Sequence, residues 1–287
     1  MNKHAEPKAI FLDMDGTILD HHNKVSQNTK VVIDKLRAKG IPVFIATGRS
    51  REEIFPIVPE GFTVDGIISS NGMTVYLGDE KIKEHTLSFE LVTEIIEKAR
   101  ENHVYYELFP AVGERLVLKE DKSILDKEME DPQPESVGIN EWLSRKESMD
   151  GQIKWVDSID EQAFSKFYCF SKSKVHINKW IDVLDKLKEK TDFTTSSSSE
   201  HNVEIMVANV NKGTSIQLIL DHLDITAKEI LVMGDSHNDL PMFALAGQKV
   251  AMKNAAADIK EIVDEVTEHT CDEDGVYHYL MDRFFTN

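Results

Sequence analysis

Two aspartates two residues apart, Asp13 and Asp15, follow the short apolar run Ala9-Ile10-Phe11-Leu12. Alone, an Asp-x-Asp is as readily a turn, because an Asp side chain can hydrogen-bond nearby backbone. A second acidic pair, Asp235 and Asp239, follows another apolar run, Ile230-Leu231-Val232-Met233. If both runs are strands of one parallel sheet, their ends converge and three or four carboxylates meet at one edge. Such a cluster repels itself unless a cation sits among its oxygens, and an all-oxygen donor set favours Mg²⁺ and argues against zinc. Two more element ends bring Thr47-Gly48, a hydroxyl beside exposed backbone N–H groups, and Lys212 at the start of a helix. A hydroxyl, turn amides and an ammonium beside a divalent cation form a cradle for a phosphoryl group.

The elements that must position these residues follow from the hydrophobic pattern. Ala9 to Leu12 is continuous, apolar and short, bounded by Pro7 and by Asp13-Met14-Asp15-Gly16-Thr17, as expected of a buried parallel strand ending in a polar turn. Val32, Ile33 and Leu36 place one apolar face on a helix closing at Gly40. A second strand from Ile41 to Ala46 ends in Thr47-Gly48-Arg49, a helix starts at Ser50, and a third strand ends in Ser69-Ser70-Asn71-Gly72. This rhythm predicts an α/β fold, a doubly wound parallel sheet with ligands at the carboxyl ends of its strands. Near residue 83 the pattern changes. A helix from Phe89 to Asn102, strands at Val104 to Phe109, Arg115 to Lys119 and Phe164 to Phe170, a polar stretch from Glu120 to Ser148, a helix from Ile177 to Lys190, and strands at Phe193 to Ser197 and Val203 to Val207 read as an inserted α+β domain. Strand and helix alternation resumes with the helix from Lys212 to Leu223. Residues 1–83 and 209–287 are thus expected to form one discontinuous core domain, with 84–208 inserted between.

The bulk properties agree with an ordinary globular chain. Its 287 residues are 41% hydrophobic and 29% charged, with 14 Gly and 8 Pro, which excludes disordered, collagen-like and disulfide-scaffold classes. With 33 basic against 51 acidic residues the formal charge is −18, which disfavours nucleic acid as a partner. Two cysteines, Cys169 and Cys271, suit a reducing compartment. No apolar h-region precedes the first strand and no run approaches membrane-spanning length, so a cytoplasmic protein without membrane contact is expected.

Asp13-Met14-Asp15-Gly16-Thr17, Thr47-Gly48-Arg49, Lys212-Gly213 and Gly234-Asp235-Ser236-x-Asn238-Asp239 resemble, in order and spacing, the four motifs of the haloacid dehalogenase (HAD) superfamily. The insertion between the second and third motifs, with Ser70-Asn71-Gly72 and Val250-Ala251-Met252-x-Asn254-Ala255, is similar to Cof-type phosphatases carrying a C2-type cap. The sequence departs from that pattern at Asn211, where many relatives have Ser, and at Lys253, where Gly is frequent. The resemblance implies a Rossmann-like core and a phosphoric monoester hydrolase whose Asp13 attacks phosphorus to form an aspartyl-phosphate. Asp15 would protonate the leaving alkoxide and then activate water. It further implies Mg²⁺ on Asp13, the Asp15 backbone carbonyl and Asp235. Thr47, Gly48, Lys212 and Asn238 would donate to the phosphoryl oxygens, and Asp239 would orient Lys212 or a metal water. The substrate class it implies is a small phosphorylated metabolite, a sugar phosphate foremost.

Other residues admit two readings. Asn71 and Asn254 follow strand ends on the same edge and serve either as turn caps or as contacts to phosphate or substrate. Arg49 either pairs with a nearby carboxylate or touches ligand. Gly16 and Gly72 read as turn devices, His21-His22 as solvated surface, Cys169 as core, His237 as a variable loop position, and Glu204 as the polar face of a strand. Arg115, Lys119, Lys166 and His201 are polar candidates for substrate selection in the insertion. Two rival functions remain at this stage. One is a phosphotransferase or phosphomutase sharing the aspartyl-phosphate, and the other is a non-catalytic metabolite-binding protein on the same fold. Oligomeric state is not encoded in any of these features.

Overall fold

The computed structural model describes residues 5–286. Its first strand, β1 (Ala9–Leu12), has no exposed residue, because helices cover both faces of the sheet it belongs to. Alternate residues feed two cores. Ile10 and Leu12 join Val32, Ile33 and Leu36 of α1 (Gln27–Ala38), while Ala9 and Phe11 join Ile216, Ile219 and Leu220 from the opposite face. Ser26 caps α1 by accepting from the Thr29 N–H at 3.0 Å. After α1 come β2 (Val43–Ala46), the single-turn α2 (Arg51–Ile54), β3 (Gly66–Ser69), β4 (Thr74–Leu77) and β5 (Glu80–Glu84).

The intervening segment supplies α3 (Phe89–Glu101), β6 (Tyr105–Pro110), β7 (Arg115–Leu118), α4 (Lys122–Glu128), α5 (Ile139–Glu147), β8 (Ile153–Val156), β9 (Phe164–Phe170), α6 (Lys174–Lys188), β10 (Phe193–Ser196) and β11 (Asn202–Val207). The chain then returns with α7 (Lys212–Leu223), β12 (Ile230–Gly234), α8 (Leu240–Leu245), β13 (Gln248–Ala251), α9 (Ala257–Glu261), β14 (Glu265–Val266) and α10 (Gly275–Phe284). Two units result, one running to Glu84 and resuming at Val210, the other His85–Asn209.

The first unit holds an eight-stranded sheet ordered β14-β13-β12-β1-β2-β3-β4-β5. Strands β14 through β3 are parallel, as the strand and helix rhythm leads one to expect, but β3 to β5 form an antiparallel meander at the edge. The register places the site. Leu12 lies opposite both Met233 and Ile45, so the loops after β1, β12 and β2 leave the sheet at one level.

The His85–Asn209 unit is a six-stranded sheet ordered β10-β11-β9-β6-β7-β8, antiparallel except between β7 and β8. The polar stretch from Glu120 to Ser148, given no element from the sequence, contains α4 and α5. Glu107 is fully buried, and its carboxylate takes Arg145 at 2.6 Å, Arg115 at 3.0 Å and the Tyr105 hydroxyl at 2.5 Å. Arg115 is therefore already engaged inside this unit. Lys119 pairs with Asp157 at the surface, His201 is buried against the Ser171 carbonyl, and Cys169 is buried in β9. Glu204 departs from its expected place on a polar face: it is buried, 3.6 Å from Lys166. No helix among the described residues is long and apolar enough to cross a membrane.

Candidate active site

Strand order brings the acidic residues together. Asp13 continues β1, its N–H donating to the Met233 carbonyl at 3.0 Å, and one atom from each of the Asp13, Asp235 and Asp239 carboxylates lies within 4.8 Å of the others. Lys212 stands at the start of α7, whose cap Asn211 accepts from the Thr214 N–H at 3.0 Å. The fully buried Lys212 ammonium donates to Asp13 Oδ1 and Asp239 Oδ1, each at 2.6 Å. Asp239 is used at both ends, since its Oδ2 accepts from the Asp235 and Ser236 N–H groups at 2.9 and 3.1 Å. It thereby holds both Lys212 and the loop carrying Asp235.

The electrostatics of this cluster are unbalanced. Burial, and then the Asp239 carboxylate, push Asp13 up to about 7 despite Lys212. Burial, and then Asp13, raise Asp235 well above its ordinary value. Burial would depress the Lys212 ammonium, but Asp13 and Asp239 outweigh it and hold it above its usual range. Three carboxylates against one ammonium leave an excess of negative charge, and Asp235 Oδ1 is shut from solvent without a hydrogen-bond partner. An orphaned buried carboxylate oxygen in an all-oxygen cluster is what a hard divalent cation would satisfy. The donor set therefore fits such an ion.

Beside the cluster lie the groups expected to meet a phosphoryl. Thr47 is buried, its N–H bonded to the Ile68 carbonyl at 2.9 Å and its hydroxyl accepting from the Arg49 N–H at 3.1 Å, with Gly48 in the turn between. Asn71 sits at φ +54° and donates its N–H to the Thr47 carbonyl, while the Asn238 amide reaches Asn71 Oδ1 at 3.5 Å. Asn238 and Asn71 are both buried, so the ends of β2, β3 and β12 are tied at this edge. Gly72 fits because a Cβ there would stand 2.4 Å from Ser215 Oγ.

Three placements go beyond the sequence reading. Asp15 does not join the carboxylate cluster; Arg49 Nε grips its two oxygens at 3.1 and 2.9 Å, a carboxylate pairing of the kind that was one of the two readings for Arg49. Asn254 donates to the Gly16 carbonyl at 2.7 Å and accepts from the Cys271 N–H at 2.9 Å, so in this structure both ends of its amide bind backbone. Gly16, read as a turn device, also packs against the metal-type cluster. At φ +74°, a Cβ added there would stand 2.2 Å from Asp235 Oδ2. Its place in the Asp13 to Thr17 loop was the available signal. At the surface, His21 pairs with Asp272, and His237, in the loop between Asp235 and Asn238, pairs with Asp258.

The profile of the haloacid dehalogenase-like hydrolases matches residues 10–280. The chain belongs to that family. It is similar to the phosphatase YwpJ of Bacillus subtilis, 28% identical and covering 95% of this chain and 98% of the relative. It is also 28% identical to the 5-amino-6-(5-phospho-D-ribitylamino)uracil phosphatase YwtE of the same organism, over 95% and 96% of the two chains. Among solved structures, a haloacid dehalogenase-like hydrolase from B. subtilis superposes with a TM-score of 0.79 at 27% identity, covering 97% of this chain and 99% of that one. The protein is accordingly an enzyme, a phosphatase of the haloacid dehalogenase-like family.

Proposed function

We propose that this hydrolase is a Mg²⁺-dependent phosphatase of small phosphate monoesters, sugar phosphates foremost, acting through an aspartyl-phosphate on Asp13. The observation that carries the proposal is the convergence of the Asp13, Asp235 and Asp239 carboxylates, with buried Lys212 paired to Asp13 and Asp239 and Asp235 Oδ1 left unsatisfied. The name of the relative YwtE describes a phosphorylated ribityl chain as its substrate, which supports a polyol or sugar ester for this chain.

In this reading Asp13, Asp235 and the Asp15 backbone carbonyl hold the cation. When bound, Mg²⁺ neutralises charge on the nucleophile and on the phosphoryl oxygens. The remaining chemistry belongs to the chain. Lys212, fixed by Asp239, and the Thr47, Gly48 and Asn238 donors receive the phosphoryl oxygens. An Asp13 oxygen attacks phosphorus as the ester P–O bond breaks, and protonated Asp15 gives its proton to the departing alkoxide, releasing the alcohol. Asp15, now a carboxylate, takes a proton from a water whose oxygen attacks the same phosphorus. The bond to Asp13 breaks, and inorganic phosphate leaves. Asn71 and Asn254 serve by shaping the ends of β3 and β13 around this reaction.

Phosphate release from a panel of phosphorylated sugars, nucleotides and glycerol phosphates tests this reading. Turnover should disappear in EDTA and return with Mg²⁺, and undiminished turnover by verified metal-free protein would refute the metal assignment. Transfer of the phosphoryl group to a second sugar, without phosphate release, would instead identify a phosphotransferase.

A further inference from the structure

The pairing of Arg49 with Asp15 is more built than a surface ion pair requires. Arg49 Nε meets both Asp15 oxygens, and its Nη2 adds a third bond to Oδ1, so the guanidinium fork clamps the carboxylate. The same Nη2 donates to Asn23 Oδ1 at 2.9 Å. Asn23 is itself fixed, at φ +57° in a turn where its N–H donates to the Asp20 carbonyl and Asp20 Oδ1 accepts from the His22 and Lys24 N–H groups. At its other end the Arg49 backbone is pinned, its N–H on the Thr47 hydroxyl and its carbonyl accepting from the Ser70 N–H at 2.8 Å. One residue thus ties the loop of the nucleophile, the turn after it and the ends of β2 and β3 to a single carboxylate.

Stability is a poor reason for this arrangement, since the Asp15 side chain keeps 44% of its exposure and exposed ion pairs contribute little. Orientation is a better one. Asp15 lies near enough to Asp13 to repel it, so without a partner its carboxylate would be turned by its neighbours as much as by its own rotamer preference. We propose that Arg49, seated by Asn23, is a positioning residue that holds the Asp15 carboxyl where it can deliver its proton to the leaving oxygen. The inference rests on the acid role given to Asp15 above.

The test compares leaving groups. An alkyl phosphate such as a hexose 6-phosphate needs its alkoxide protonated, whereas p-nitrophenyl phosphate departs as a stable anion, and kcat/KM reports the first chemical step for both. With Mg²⁺ present and folding checked by thermal melting, Arg49→Ala should lower kcat/KM on the hexose phosphate by on the order of 10²-fold and on p-nitrophenyl phosphate by less than about 10-fold. Added guanidinium should restore part of the larger loss. Arg49→Lys should restore less than the wild-type fork. Asn23→Gly, which keeps the left-handed backbone and removes the amide, should shift the ratio in the same direction by less. Equal losses on both esters in Arg49→Ala, beside an unequal loss in Asp15→Asn, would overturn the positioning role and leave the acid role of Asp15 standing. Equal losses in both variants would overturn the acid role, and this inference with it.

Discussion

At the scale of single residues, the site is an electrostatic problem solved by placement. The nucleophile of the proposed mechanism, Asp13, stands where burial and the adjacent Asp239 push it up to about 7 without a cation. Asp13→Asn removes both the attacking oxygen and one cation ligand, so turnover should fall to background on every ester while the melting curve survives. Asp15→Asn removes only the proton carrier and should cost on the order of 10²–10⁴-fold, measured as kcat/KM on an alkyl phosphate. Gly16 supplies a test of the cation's seat. Gly16→Ala forces a methyl group against the Asp235 carboxylate and should raise the Mg²⁺ concentration for half-maximal activity by about 10–100-fold, the range seen when groups supporting metal ligands are disturbed. A half-saturation unchanged from wild type would show that Asp235 moves aside freely. The meeting of Asp13, Asp235, Asp239 and Lys212 was legible in the sequence because a parallel sheet must gather the ends of its strands. A carboxylate partner for Arg49 and a capping role for Asn254 were each one of two open readings, and which groups they meet was not legible, because the spacing of residues along a chain does not say where a side chain points.

At the scale of elements, the buried strands were the easiest to read. β9, for instance, spans the seven residues from Phe164 to Phe170, where four aromatic residues and Cys169 outweigh Ser165 and Lys166 in marking a strand. The hairpin of β4 and β5 was missed although Gly78-Asp79 between its strands is a turn signal, because Glu80–Glu84 carries four charged residues on an edge strand where solvent tolerates them. The helices α4 and α5 were missed for a related reason. Both are short, mostly polar, and separated by Pro132, Pro134 and Gly138, which read as loop. Elements also carry catalytic placement. α7 begins with Lys212 because Asn211 caps it, so Asn211→Ala should lower stability by about 1 kcal/mol. That corresponds to about 2–4 °C in Tm for a domain of this size. Asn211→Ser, which retains a capping oxygen, should recover most of it. A melting temperature equal to wild type in Asn211→Ala would mean that the tertiary bonds of Lys212 alone fix the start of the helix.

At the scale of the whole molecule, the chain divides its chemistry unevenly. Every residue assigned to the reaction lies in the discontinuous unit, and the inserted His85–Asn209 unit carries its own buried polar centre at Glu107. Arg145→Ala strips one of two guanidinium partners from that buried carboxylate and should destabilise the inserted unit by about 3–5 kcal/mol, less if Arg115 takes up the charge. Hydrogen exchange should then show lost protection confined to His85–Asn209, and protection lost first around Asp13 would contradict the assignment. The boundary between units was legible as a change of rhythm near residue 83. The commitment of Arg115 to Glu107 was not, because a charged residue on a strand reads as surface until its partner is known. The central claim, that phosphate passes through Asp13, is tested most directly by acid-quenching a single turnover with Mg²⁺ and a sugar phosphate and mapping the modified peptide by mass spectrometry. A phosphoryl group on Asp13, absent from Asp13→Asn and decaying as inorganic phosphate appears, is the expected result. Phosphate released at the full rate with no phosphorylated Asp13 at any quench time would contradict it.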